Sequence, residues 1–115
     1  MIQQLKELIL ANDTSVVPVE KPLMGKPATH YEQRGVFKYA VVAGKNQTSL
    51  HCMPIYMDKE LHAKYTDLFV TAEVQKGCIN FAAGKDLPAE VIGGLIKECA
   101  AIDIAQVLEN RKKKK

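Results

Sequence analysis

The chain opens on a helical pattern: Ile2, Leu5, Leu8 and Ile9 recur at helical spacing with Gln3, Gln4, Lys6 and Glu7 between them. This predicts an amphipathic helix with one buried stripe, ending at Asn12-Asp13. The pattern then shifts. From Ser15 to Glu20 the residues Val16, Val17 and Val19 form a candidate strand, placed at a sheet edge because Pro18 cannot donate to a central ladder. Pro22, Gly25 and Pro27 fall within six residues and mark a loop, the longest irregular stretch of the chain. Val36, Phe37, Tyr39, Val41 and Val42 form a β-branched and aromatic run, with Lys38 marking its solvent-leaning face. Gly44-Lys45-Asn46 supplies residues that tolerate positive φ. A second apolar run follows from Thr48 to Met57, so the two runs predict a β-hairpin whose ladder Pro54 ends or bulges.

Beyond the hairpin, Asp58 is positioned to cap a helix from Lys59 to about Phe69, in which Leu61, Tyr65, Leu68 and Phe69 share a face. Residues 73–83 alternate as a last strand, Ile79 and Phe81 pointing one way and Cys78 and Asn80 the other. Pro88 stands at a first-turn position, and Val91, Ile92, Leu95, Cys99 and Ile102 run as a stripe down one long helix. Gly93-Gly94 inside that helix costs on the order of 1 kcal/mol per glycine, so packing must stabilise it, and a close approach to the sheet is the expected reason. Strands and helices do not alternate regularly. The expected class is therefore α+β: an antiparallel sheet of about five strands with N-terminal and C-terminal helices packed on one face, a two-layer sandwich.

With 115 residues the chain is read as one domain, residues 1–110, followed by a basic tail, residues 111–115. The formal net charge of +3 changes meaning once that tail is set aside. Removing Arg111 and Lys112 to Lys115 from the sixteen basic residues leaves eleven against thirteen acidic ones, a net of −2. A like-charge run at a terminus reads as a solvated, disordered tail, and with no basic face elsewhere nucleic-acid binding is not expected. No apolar stretch approaches the ~20 residues needed to span a bilayer. The first residues carry Lys6 and Glu7 and lack the apolar run of a secretion signal, so the cytoplasm is the expected compartment. Cys52, Cys78 and Cys99 match no zinc or redox spacing and are expected as buried free thiols.

Candidate chemistry gathers in Leu50-His51-Cys52-Met53-Pro54-Ile55-Tyr56-Met57. In a regular strand His51, Met53 and Ile55 project to one face and Cys52 to the other, so His51 and Cys52 cannot share a metal ion, and no metal or other cofactor is expected. No thiol shows the exposed, basic setting of a nucleophile, no carboxylate pair stands out, and the Gly-Lys dipeptides lack phosphate-loop spacing. No catalytic residues are expected, and the chain is read as a non-enzyme.

Val42-Ala43-Gly44-Lys45-Asn46, Ser49-Leu50-His51-Cys52-Met53-Pro54-Ile55-Tyr56-Met57 and Lys76-Gly77-Cys78-Ile79-Asn80-Phe81 resemble the YdhG-like family, domain-of-unknown-function family 1801, over about sixty percent of the chain. The resemblance implies a compact α-β sandwich distantly similar to the frataxin fold, in which some members are thought to handle iron. Iron handling of that type uses an acidic ridge, whereas the first helix here sets Lys6 against Glu7, with Asp13 beyond. The leading expectation is a non-enzymatic module for a small molecule or a protein partner, binding on an open sheet face lined by Tyr39, His51, Met53 and Tyr56. An iron or metal chaperone of frataxin-like type and a self-associating structural protein, a homodimer paired through an exposed sheet edge, are the alternatives.

Overall fold

In the computed structural model, residues 2–83 and 86–113 are described, the last three of these by their backbone. The elements run α1 (Ile2–Asn12), β1 (Val17–Glu20), β2 (Ala28–Gln33), β3 (Val36–Ala43), β4 (Gln47–Cys52), α2 (Met53–Met57), α3 (Lys59–Leu68), β5 (Glu73–Val74), β6 (Cys78–Ala82), α4 (Ala89–Ala100) and α5 (Ile104–Lys113). The fold is α+β. Its antiparallel sheet has six strands among the described residues, in the order β1-β2-β3-β4-β6-β5, one more than the hydrophobic pattern predicts.

The central hairpin of β3 and β4 forms as expected, and β1 takes the edge position that Pro18 requires. Gly44 serves the hairpin turn differently from the expectation. Its φ is not positive; rather, a Cβ there would lie 2.9 Å from the Gln47 carbonyl oxygen, which accepts from the Gly44 N–H at 2.7 Å. The positive φ values fall elsewhere, at Met24-Gly25 and Arg34-Gly35. Those two dipeptides turn the chain at either end of β2, the strand absent from the pattern. Thr29, His30, Glu32 and Gln33 make β2 too polar to read as a strand, and Glu32 and Gln33 find side-chain partners only once the fold has formed. Gln33, for example, donates to Ser15 Oγ at 2.9 Å and accepts from the Ile104 N–H at 2.6 Å.

One face of the sheet carries the core. Tyr31, Tyr39, Val41, Leu50, Cys52, Ile79 and Phe81 point inward to meet Leu5 and Ile9 of α1, Leu61 and Tyr65 of α3, and Ile92, Leu95, Ile96 and Cys99 of α4. Lys38 belongs to this side too, which corrects its expected solvent-facing position. Tyr31 pairs with Tyr39 but Glu32 pairs with Phe37, so Lys38 is the extra residue of a bulge that turns its side chain inward. Its ammonium, with no exposed surface, stands 2.8 Å from Asp13 Oδ2 as an ion pair, off the direction of an aligned hydrogen bond. Asp13 also accepts from the Tyr39 hydroxyl at 2.8 Å and from the Ser15 N–H and hydroxyl.

Three boundaries differ from the periodicity. The second hairpin arm stops at Cys52, and Met53–Met57 is a short helix, because Pro54 fits a first helical turn where no donor is needed. Residues 73–83 split at Gly77 into β5 and β6. The expected long C-terminal helix breaks after Ala100, and α5 starts afresh where Asp103 accepts from the Gln106 N–H at 3.0 Å. Gly93 and Gly94 face helices rather than the sheet: Cβ atoms there would lie 3.5 Å from Asn12 Nδ2 and 3.3 Å from the Tyr65 hydroxyl. The start of α3 follows expectation, with Asp58 accepting from the Glu60 and Leu61 N–H groups at 3.1 Å each. Of the proposed tail, residues 114–115 lie outside the described residues, as do the side chains of 111–113. Among the described residues no helix is long and apolar enough to cross a membrane.

Candidate functional site

Side chains alternate across a strand, so the face opposite the core is set by register. His30 of β2, Ala40 of β3, His51 of β4 and Cys78 of β6 form one row across four strands on that outer face. Ala40, the smallest member, stands fully buried between the two imidazoles. His30 is 5% exposed, meets Phe37 edge-on at 5.4 Å between ring centroids, and neither of its ring nitrogens has a hydrogen-bond partner among the described residues. Burial, and after it the neighbouring His30, hold the His51 ring below the ordinary histidine range, so His51 presents a neutral imidazole at neutral pH.

An open groove of about 350 Å³ lies at the end of this row, lined by Phe37, His51, Cys52, Met53, Tyr56 and the segment Gln75-Lys76-Gly77-Cys78. Each wall has a local cause. Pro54 starts α2 directly after β4, which swings Met53 and Tyr56 out of the strand plane and over the turn between β5 and β6. Gly77 makes room for this, since a Cβ there would lie 3.2 Å from Tyr56 Cδ2 and 3.3 Å from Tyr56 Cβ. That turn is held from two sides: the Gly77 carbonyl accepts from the Cys52 N–H at 2.8 Å, and the ring Nε2 of His62 lies 2.8 Å from the Gln75 carbonyl oxygen. Tyr56 remains 59% exposed at the rim.

The groove continues into a second hollow of about 450 Å³ bounded by Leu23, Met24 and Lys26 of the β1–β2 turn, with His51, Gln75 and Cys78 shared between the two. Its floor is polar and internally satisfied. Ser49 donates to Asn80 Oδ1 at 2.6 Å, and Asn80 donates to Glu73 Oε1 at 2.8 Å.

Three of the four residues expected at the site, His51, Met53 and Tyr56, come together in the groove. Tyr39 does not join them. It pairs across the ladder with Cys52, points to the core with no exposed surface, and its hydroxyl is committed to Asp13. Phe37 and Gly77 complete the site in its place. Phe37 carries no signal beyond its strand pattern, whereas a glycine interrupting the run at 77 does point to a close approach.

Cys78, expected to be buried, is only half-buried, and its thiol donates to Gln75 Oε1 at 3.0 Å. Burial, then Glu73, push that thiol up, so it stands beside the neutral His51 as a protonated group rather than an activated nucleophile. Among the described residues no three His, Cys, Asp or Glu side chains gather closely enough to hold a metal ion. Compared with protein-family models, curated proteins and solved structures, the chain matches none of them.

Proposed function

We propose that this chain is a non-enzymatic binding module that takes a small, mainly apolar ligand in the groove between Phe37, Met53 and Tyr56. The observation that carries this reading is the groove itself, an apolar hollow of about 350 Å³ with a neutral imidazole, a protonated thiol and one lysine as polar handles. Pockets for small molecules combine those features, apolar walls for affinity and a few polar groups for orientation. The exposed Tyr56 ring offers a stacking surface at low entropic cost, and Met53 adapts to irregular shapes. Iron handling, which the YdhG-like resemblance implies, calls for carboxylate ligands, and the groove is lined by none among the described residues; Asp13 is already committed to Lys38.

Titration of isotope-labelled protein with a panel of small aromatic fragments tests the reading. Amide shifts are expected to cluster on residues 51–56 and 75–78, and Tyr56→Ala should weaken the best fragment by roughly tenfold, about 1.4 kcal/mol. Shifts scattered over the surface, or undiminished binding in Tyr56→Ala, would overturn it.

A further inference from the structure

Two thiols meet inside the core. Cys52 closes β4 and Cys99 is the penultimate residue of α4, 47 positions further along the chain, yet their Sγ atoms stand 3.8 Å apart and neither residue has exposed surface. A disulfide bond is about 2.05 Å long, so the two sulfurs need to close by only about 1.8 Å from their 3.8 Å separation. We propose that Cys52 and Cys99 form a modification site, a dithiol that a low-molecular-weight disulfide such as oxidised glutathione converts to an intramolecular bridge stapling β4 to α4.

Register gives the site its selectivity. Cys52 points inward opposite Tyr39, while Cys78 pairs with His51 and points to the outer face, bonded to Gln75. Of the three pairings available to three cysteines, the fold brings together only this one. Both thiols are enclosed by the core, and Cys52, whose residue borders the open groove, is the first to be reached when the packing opens. The Cys52 thiol beside it, and then burial, push the Cys99 thiol up, so exchange runs through transient lifting of α4. That helix carries Gly93-Gly94 in its interior and owes its place to packing rather than to intrinsic propensity.

The chemistry balances. Cys52, as thiolate, attacks one sulfur of oxidised glutathione and expels one glutathione thiolate; Cys99, as thiolate, then attacks the Cys52 sulfur of the mixed disulfide and expels the second. The protein gives up two electrons and two protons, glutathione disulfide takes the electrons, and the two expelled thiolates take up the protons.

The test uses the full chain, incubated under native conditions with excess oxidised glutathione, then alkylated and peptide-mapped without reduction. The expected product is about 2 Da lighter, carries a Cys52–Cys99 linked peptide, and leaves Cys78 outside the bridge. Its thermal midpoint should rise on the order of 10 °C and return on reduction, because the bridge closes a long loop in the unfolded chain. Cys78→Ser should keep both effects and Cys99→Ser should lose both. The peptide map of the unsubstituted protein decides the matter even where a variant folds poorly. Native oxidation that joins Cys78 to either partner, or that leaves Cys52 and Cys99 free while the same protein in urea forms bridges, would overturn the proposal.

Discussion

Removing an ammonium group from water costs several kcal/mol, and only good geometry with additional hydrogen bonds repays it. One backbone irregularity supplies the opposite charge, and the additional hydrogen bonds fall to the carboxylate: the bulge against Tyr31-Glu32 aims Lys38 at Asp13, which also accepts from Ser15 and Tyr39. Burial pushes the Asp13 carboxyl up, but Lys38, Ser15 and Tyr39 together outweigh it and hold the group below its ordinary value. Lys38→Met would strand that carboxylate in the core and is expected to cost about 3–5 kcal/mol. Adding Asp13→Asn to Lys38→Met should recover a large part of the loss, because the pair behaves as a unit. Urea unfolding of the two variants measures both numbers, and equal costs for the single and double variants would contradict the coupling. Nothing local in the sequence marks this pair. A lysine in an alternating strand reads as solvent-facing, and only the partner strand's register reverses it.

At the scale of elements, the two hairpins flanking β2 depend on backbone conformations that most side chains avoid. Met24-Gly25 and Arg34-Gly35 both take positive φ at each central residue, the signature of the tight turn that matches the twist of antiparallel strands. An asparagine or aspartate usually stands first in such a turn. Met24, with 79% of its surface exposed, holds a φ of 51° without compensating burial. Met24→Asn is therefore expected to stabilise the protein by roughly 0.5–1 kcal/mol, read as a rise in the urea midpoint at unchanged slope. An unchanged or lowered midpoint would mean that the Met24 side chain contributes through the outer hollow it borders. The same chemistry explains why β2 was illegible. Its composition is polar, and Arg-Gly and Met-Gly are weak turn signals beside Asn-Gly.

For the molecule as a whole, the outer face ties stability to pH. His51 has a folded pKa below its ordinary 6.5, so the unfolded chain takes up a proton more readily than the folded one. Its contribution is full above that value and is lost as pH falls through 6.5 toward the folded pKa. Asp13 acts lower on the scale: its contribution is present above the unfolded value of 3.8 and disappears as pH falls through its depressed folded pKa. Urea unfolding should thus show stability declining as pH falls through about 6.5, and His51→Gln should flatten that decline while leaving the deeper acid loss in place. A decline unaffected by His51→Gln would assign it to another group.

The amino-acid sequence by itself determined the features that depend on neighbours along the chain. These are the amphipathic first helix, the Asp58 cap, the central hairpin with its Gly44 turn, the edge placement enforced by Pro18, and the α+β class that follows from their order. Of the four residues singled out for a binding face, His51, Met53 and Tyr56 stand together in the groove because they surround a single strand end. Tertiary structure alone decided the rest. Strand register sent Tyr39 inward and His51 outward, the bulge buried Lys38, and the close approach at Gly77 let Tyr56 close one wall of the groove. Helix α4 brought Cys99 to Cys52 from 47 positions away. The physical reason is common to all of these. Propensity and periodicity are set by a few adjacent residues, whereas the face a side chain takes and the partner it meets are fixed by pairings between segments far apart in the chain.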